Sequence, residues 1–214
     1  MAAAINPRAG RLAAADALAG PALYTVGHSN QPVEALIALL RRHQIAALVD
    51  VRSMPRSRYA SQFERDALRA TLAAAGLRYA FMGVELGGRP RDEQFYDADG
   101  RVLYGRLAAS EPFLHGIAQI EQARAKRRTA LLCSEEDPRG CHRHLLIARV
   151  LASRGGAVLH IRGDGRLETE AELITAAGGA AGQLALFSAL PEGDAWTSVR
   201  SVLRSDPPPP SSGR

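Results

Sequence analysis

The segment Ile45–Val51, Ile-Ala-Ala-Leu-Val-Asp-Val, is apolar at every position except Asp50 and so has no face to offer water. A run like this is a strand buried on both sides, and such strands belong to parallel sheets covered by helices on either face. The rest of the chain follows suit. Leu23–Val26 reads as a first strand, ended by Gly27, and Leu77–Met82, Thr129–Cys133 and Ala157–Ile161 as three more. Between them lie helical stretches at about Val33–His43, Glu64–Ala75, Glu111–Lys126 and His142–Arg154. Pro32 suits a first helical position after Asn30 or Gln31, and Gly76 suits a C-terminal cap. Repeated strand–helix order implies an α/β fold: one compact domain with a mostly parallel, open sheet of about five strands and helices on both faces.

The flanks differ in character. Residues 1–20 are Ala/Gly-rich and read as a flexible leader, and 21–165 as the domain. Residues 166–182 read as a helix and a Gly/Ala linker, and 188–214 as a tail whose Pro-rich end, Asp206–Ser212, suits neither helix nor sheet. Gly83–Gly105 carries little periodicity, and loops of that length are usually functional or mobile. No apolar run approaches the ~20 residues that cross a bilayer, and the leader lacks a secretory core, so a cytoplasmic protein without membrane contact is expected.

With 214 residues and a net charge of +5, the chain suits contact with nucleic acid or an anionic small molecule. Arginine and alanine dominate the composition, however, so a biased genome explains part of the basicity equally well. Two cysteines are too few to staple a fold of this size. Their closeness, at Cys133 and Cys141, draws attention to chemistry instead.

Open parallel sheets bind ligands outside the carboxyl ends of their strands. Four of the five expected strands end there in reactive residues: His28, Ser29 and Asn30; Asp50, Arg52 and Arg58; Cys133 and Glu135; His160 and Arg162. Asp50 and Arg52, two apart on a strand, share a face and suit a structural ion pair anchoring Ser53–Arg58. The planar forks of Arg52 and Arg58 equally suit a phosphate or carboxylate. His28 suits either acid–base work or capping of backbone groups.

The segment Cys133-Ser-Glu-Glu-Asp-Pro-Arg-Gly-Cys141-His142-Arg143 is the richest in chemistry. Cys141 falls at a helix start, where the dipole favours thiolate. Cys133, Cys141 and His142 could bind a transition metal such as Zn or Fe, with Glu135 as ligand or base, although their spacing is wider than a CxxC knuckle. Cys133 and Arg139 match the C-x5-R spacing of a thiolate phosphatase loop. Glu135, Glu136 and Asp137 would repel a dianion there, and Pro138 removes an N–H donor. The cysteines could also be inert buried residues, or a reversible disulfide pair. No dinucleotide fingerprint or Walker loop is present.

Thr25-Val-Gly-His-Ser-Asn30, Leu48-Val-Asp-Val-Arg52 with Pro55 and Ser57-Arg58, Leu86-Gly-Gly88, and Cys133-x-Glu135-x-Asp137-Pro138-x-x-Cys141-His142-Arg143 together resemble the domain-of-unknown-function 488 family over about residues 23–162. The resemblance implies a compact α/β domain and marks the positions already singled out. It brings no agreed activity. Beyond the domain, Gln183-Leu184-Ala185-Leu186-Phe187 resembles the pentapeptide by which bacterial DNA enzymes dock on the replication sliding clamp, with Ala185 departing from the commoner Ser or Asp. Leu186 and Phe187 would be apolar anchors and Gln183 an orienting donor.

Two functions follow as expectations. One is an enzyme acting on a nucleic acid or another phosphate-bearing substrate in DNA repair or replication. Arg52, Arg58, Arg143, Asn30 and Arg89 would bind the substrate, and Cys133, Glu135, Cys141, His142 and His28 would carry the chemistry. The other is a non-catalytic adaptor recruited to the clamp through Gln183, Leu184, Leu186 and Phe187.

Overall fold

The computed structural model describes residues 21–56, 60–176 and 193–199. Six strands form one sheet: β1 Leu23–Gly27, β2 Ala47–Asp50, β3 Arg78–Phe81, β4 Thr129–Cys133, β5 Val158–Ile161 and β6 Leu167–Thr169. Their order is β3-β2-β4-β1-β5-β6. The first five run parallel, and β6 returns antiparallel along β5.

Alternate residues of each central strand feed two separate cores. Tyr24, Leu48, Ala130, Leu132 and Leu159 pack with helices α1 (Val33–Arg42) and α2 (Arg65–Ala74). Leu23, Val49, Leu131 and Val158 pack on the opposite face. There they meet α3 (Tyr104–Ala109), α4 (Glu111–Lys126) and α5 (Arg149–Ser153), with a π-helical turn at Arg143–Ala148 leading into α5. The expected α/β architecture with helices on both faces is the one observed.

Several boundaries differ for local reasons. α1 begins at Val33 with Pro32 as its cap, and no side chain of Asn30 or Gln31 caps it. The expected helix from His142 opens as a π turn, and α3 forms where none was read. β6 extends the sheet past residue 165. It is short and half-buried, and a turn with Gly165 at φ 79° leads into it. The long segment from Gly83 is a wall of the second core: Leu86 and Val102 are fully buried, and Tyr96 bridges Val102. Residues 193–199 of the expected tail pack on the domain, where the Trp196 indole N–H donates to the Leu145 carbonyl at 3.1 Å. Among the described residues, no helix is long and apolar enough to cross a membrane. The leader, Ser57–Tyr59 (including Arg58), the linker and the Gln183–Phe187 motif lie outside the described residues.

One buried ion pair ties the carboxyl edge together. Arg52 donates from Nε and Nη2 to the two Asp50 oxygens at 2.9 and 2.6 Å. Nη2 also reaches the Phe63 carbonyl at 2.9 Å, and Nη1 reaches His28 Nε2 at 3.0 Å. The Tyr79 hydroxyl donates to Asp50 Oδ2 at 2.8 Å. The pair thus joins β1, β2, β3 and the turn before α2. Removing one partner strands the other charge in the interior, so Asp50→Ala is expected to cost about 3–5 kcal/mol in denaturant unfolding. An Asp50→Ala/Arg52→Met double variant should recover much of that loss. If the two single losses simply add, the pair is not coupled as described.

Candidate active site

At the carboxyl ends of β1 and β4 the chain crosses itself at close range. The His28 and Ser29 N–H groups donate to the carbonyls of Cys133 and Ser134 at 3.0 and 2.8 Å. A Cβ on residue 27 would sit 1.7 Å from the Glu135 carbonyl oxygen, which is why β1 ends in glycine. Beyond Glu135, Asp137 caps a 3-10 turn at Pro138–Gly140 by accepting the Arg139 N–H. That turn reverses the chain and returns Cys141 beside Cys133. The Cys141 carbonyl accepts from the N–H groups of His144 and Leu145, so Cys141 does stand at a helix start, as expected.

Cys133, Cys141 and His142 form the centre of the site, and all are buried. Cys133 Sγ lies 3.7 Å from His142 Nδ1 and 3.0 Å from Glu135 Oε2, and Cys141 Sγ lies 3.9 Å from His142 Nδ1. His142 Nε2 is 3.1 Å from the Val51 carbonyl, which can only accept, so the ring carries its proton on Nε2 and turns Nδ1 toward the sulfurs. Gly88 completes the packing, because a Cβ there would meet the His142 ring at 2.6 Å.

Charge divides unequally between the thiols. A hydrogen bond from Cys141, against the cost of burial, and the neighbouring His142 hold the Cys133 thiol well below its ordinary value. Burial and the adjacent Cys133 push the Cys141 thiol well above its own. The helix start therefore does not lower the Cys141 thiol; of the two, it is Cys133 that is shifted toward the thiolate. Burial disfavours a charged His142, but the Cys133 thiolate outweighs it and raises the imidazole. Burial, then the Cys133 charge, raises the Glu135 carboxyl.

Beside this centre lies an open cleft of about 330 Å³, lined by His28, Asn30, Arg52, Arg56, Glu135 and Glu136 among others. Glu135 belongs to both, facing the cleft while touching Cys133. Several residues have work other than that expected from sequence. His28 accepts from Arg52 at Nε2, since a guanidinium cannot accept, and donates from Nδ1 to the Ser29 carbonyl at 2.7 Å. Stacked on Phe63 and with burial lowering its pKa, it is a fixed neutral ring with both nitrogens occupied, not a proton shuttle. Arg52 is held chiefly by Asp50, which favours the ion-pair role over anion capture. Arg139 pairs with Asp137 and Glu168 at the surface and does not complete a phosphatase loop with Cys133. Arg89 is exposed and does not line the cleft; its backbone N–H donates to Ser53 Oγ.

A second polar cluster lies behind the first. Glu170 Oε2 is 2.8 Å from both His144 Nδ1 and His160 Nε2, and the Thr25 hydroxyl is 2.7 Å from His160 Nδ1. Arg143, fully buried, donates to the Glu136 carbonyl, but among the described residues its Nε and Nη1 have no partner, and neither has Glu170 Oε1. Both trios, Cys133–Cys141–His142 and His144–His160–Glu170, have ligand atoms within 4.8 Å of one another. They are not equivalent. In the histidine trio the carboxylate already receives two ring N–H groups, and the charge of the buried Arg143 reaches the His160 ring. A metal ion there would add charge to charge. In the cysteine trio two thiolates neutralise a divalent ion, and His142 has the backbone-anchored second nitrogen typical of a metal ligand.

Sequence reasoning singled out Cys133, Glu135, Cys141 and His142, which converge, and His28, Asn30 and Arg52, which flank them. It missed Tyr104, a buried phenol within electrostatic reach of both thiols, and the His144–His160–Glu170 network. The available signal for the network was His144 itself, one of four consecutive reactive or charged residues, Cys141-His142-Arg143-His144.

No curated protein and no solved structure matches the chain. The family described as domain of unknown function DUF488 matches residues 32–150, a span holding β2 to β4 and the whole Cys133–Arg143 segment. The chain therefore belongs to the DUF488 family.

Proposed function

We propose that this DUF488 protein is an enzyme whose chemistry centres on a divalent transition metal, such as zinc or iron, held by Cys133, Cys141 and His142. Its substrate would be a phosphate-bearing molecule, a nucleic acid in the first instance, admitted along the cleft. The observation that carries the proposal is the convergence of the three ligand atoms within 4.8 Å, with His142 Nε2 tied to the Val51 carbonyl. Soft thiolates with one imidazole suit such an ion, and three protein ligands leave a fourth position, as catalytic sites require. A divalent cation there would supply Lewis acidity toward a phosphoryl oxygen.

The chain's own residues would do the rest. Glu135, between the centre and the cleft, is placed to hold or take a proton from a water molecule, and burial raises its carboxyl above the ordinary value. Arg56 and Asn30 line the cleft where an anionic group would enter. The buried Arg143, two of whose donor atoms have no partner among the described residues, adds positive potential beneath the loop carrying Glu136. The resemblance of Gln183–Phe187 to a clamp-docking peptide supports a role in DNA repair or replication, with the sliding clamp as partner.

A second reading has its own observation: Cys133 Sγ lies 3.7 Å from His142 Nδ1 and 3.0 Å from Glu135 Oε2, an arrangement that suits a thiolate nucleophile without any metal. Elemental analysis of tag-free protein separates the two. Near-stoichiometric zinc or iron in the wild type, absent from a Cys133→Ser/Cys141→Ser variant, is expected. Cys133 should then resist alkylation until a chelator is added. Metal-free wild type with rapidly alkylated Cys133 would replace the metal centre by a thiolate nucleophile. For the partner, Leu186→Ala/Phe187→Ala should abolish retention on immobilised clamp with the thermal midpoint unchanged; equal retention would remove the clamp from the proposal.

A further inference from the structure

The edge of the sheet opposite the site carries an unusual row of cations. In the order β3-β2-β4, Arg78 opens β3, and Arg127 and Arg128 lead into β4. The Arg78 N–H donates to the Ala46 carbonyl at 3.1 Å, and the Ala46 N–H to the Arg128 carbonyl at 2.9 Å. One residue thus separates the two arginines across the sheet, roughly 10 Å at a strand spacing of ~4.8 Å. Arg128 also donates to the His43 carbonyl and lies over the Tyr24 ring, which fixes its place beside the end of α1 and its Arg41 and Arg42.

Next to this row lies a depression of about 200 Å³. Its lining includes Arg124, Lys126, Arg127 and Arg128 and, among the described residues, contains no carboxylate. Among the described residues, no ion pair engages Arg41, Arg78, Lys126, Arg127 or Arg128. Cations in the last turns of α1 and α4 are partly explained by the helix dipole. Arg127, the C-cap of α4, shares that explanation, but Arg78 and Arg128 lie outside the helices and the dipole does not account for them. Strand order brings Arg78, distant in sequence, to the same pole as Arg127 and Arg128. Glu135, Glu136 and Asp137 stand at the other, after β4.

We infer that this amino-terminal edge of the sheet is a docking surface for the phosphate backbone of duplex DNA, separate from the cleft. A row of cations spaced along a sheet edge suits a linear polyanion better than a compact one, and guanidinium forks suit phosphate oxygens. Such contacts hold a nucleic acid without reading its sequence. The docking edge stands whether or not the cysteine centre binds metal.

The test is fluorescence anisotropy of a labelled mixed-sequence DNA duplex, titrated with full-length protein over a range of salt concentrations. Lys126→Glu/Arg127→Glu and, separately, Arg78→Glu are compared with Arg91→Glu/Arg101→Glu, which makes the same change in net charge as the first pair on the exposed 91–101 loop. The first double variant should lose about tenfold or more in affinity, and its salt dependence should be shallower by about two phosphate contacts. Arg78→Glu should lose in the same direction, and the loop control should change about twofold at most. Equal losses in the control would show net charge alone at work and overturn the assignment. So would wild-type protein that does not bind DNA at low salt, or that binds anionic phospholipid vesicles through these residues and not DNA.

Discussion

The carboxyl edge of this fold depends on an arginine that cannot lose its charge. Arg52 is nearly buried, and an isolated guanidinium in that position would be untenable. Asp50, two residues earlier on the same face, answers it with both oxygens, and the remaining bonds spread to Phe63 and His28. These contacts order the end of β1, the exit of β2 and the approach to α2 together. The floor of the cleft is thus a hydrogen-bonded network set by one ion pair. His28 is a consequence of it: Arg52 dictates which ring nitrogen bears the proton.

The cysteine centre uses the opposite logic. Asp50 and Arg52 neutralise each other in place, whereas Cys133, Cys141, Glu135 and His142 form a group with more acidic sites than bases. Burial and mutual interaction move these groups apart, the Cys133 thiol downward and the Cys141 thiol and Glu135 carboxyl upward. Titratable groups shifted in opposite directions a few ångströms apart are costly to keep for packing alone, and cluster where chemistry or a metal ion uses them. The loop glycines serve the same end: Gly27 admits the Glu135 backbone, and Gly88 admits the His142 ring.

Much of this was legible in the sequence. The apolar run around Leu48 and Val49 announced a doubly covered parallel strand, and strand ends placed the reactive residues on one rim. What escaped had physical causes. β6 is three half-buried residues whose place comes from pairing with β5, not from their own pattern. The π turn at Arg143–Ala148 inserts an extra residue per turn that no periodicity reveals. The thiolate was expected at Cys141 from its helix start, a correct location; burial and the neighbouring Cys133 outweigh the dipole there. The tautomer of His28 depends on Arg52, a partner 24 residues away.

Cobalt(II) titration of metal-free protein, followed by optical spectroscopy, tests the metal centre most directly, because thiolate ligands declare themselves in the spectrum. The expected result is a strong near-ultraviolet sulfur-to-cobalt charge-transfer band with visible transitions of tetrahedral intensity. Both should saturate at one equivalent and vanish when Cys133 and Cys141 are replaced by serine. A weak spectrum with no thiolate band, indifferent to that replacement, would contradict the account. Any bound ion would then be sought at His144, His160 and Glu170, and the Cys133–Cys141–His142 centre would have to act through its thiolate alone.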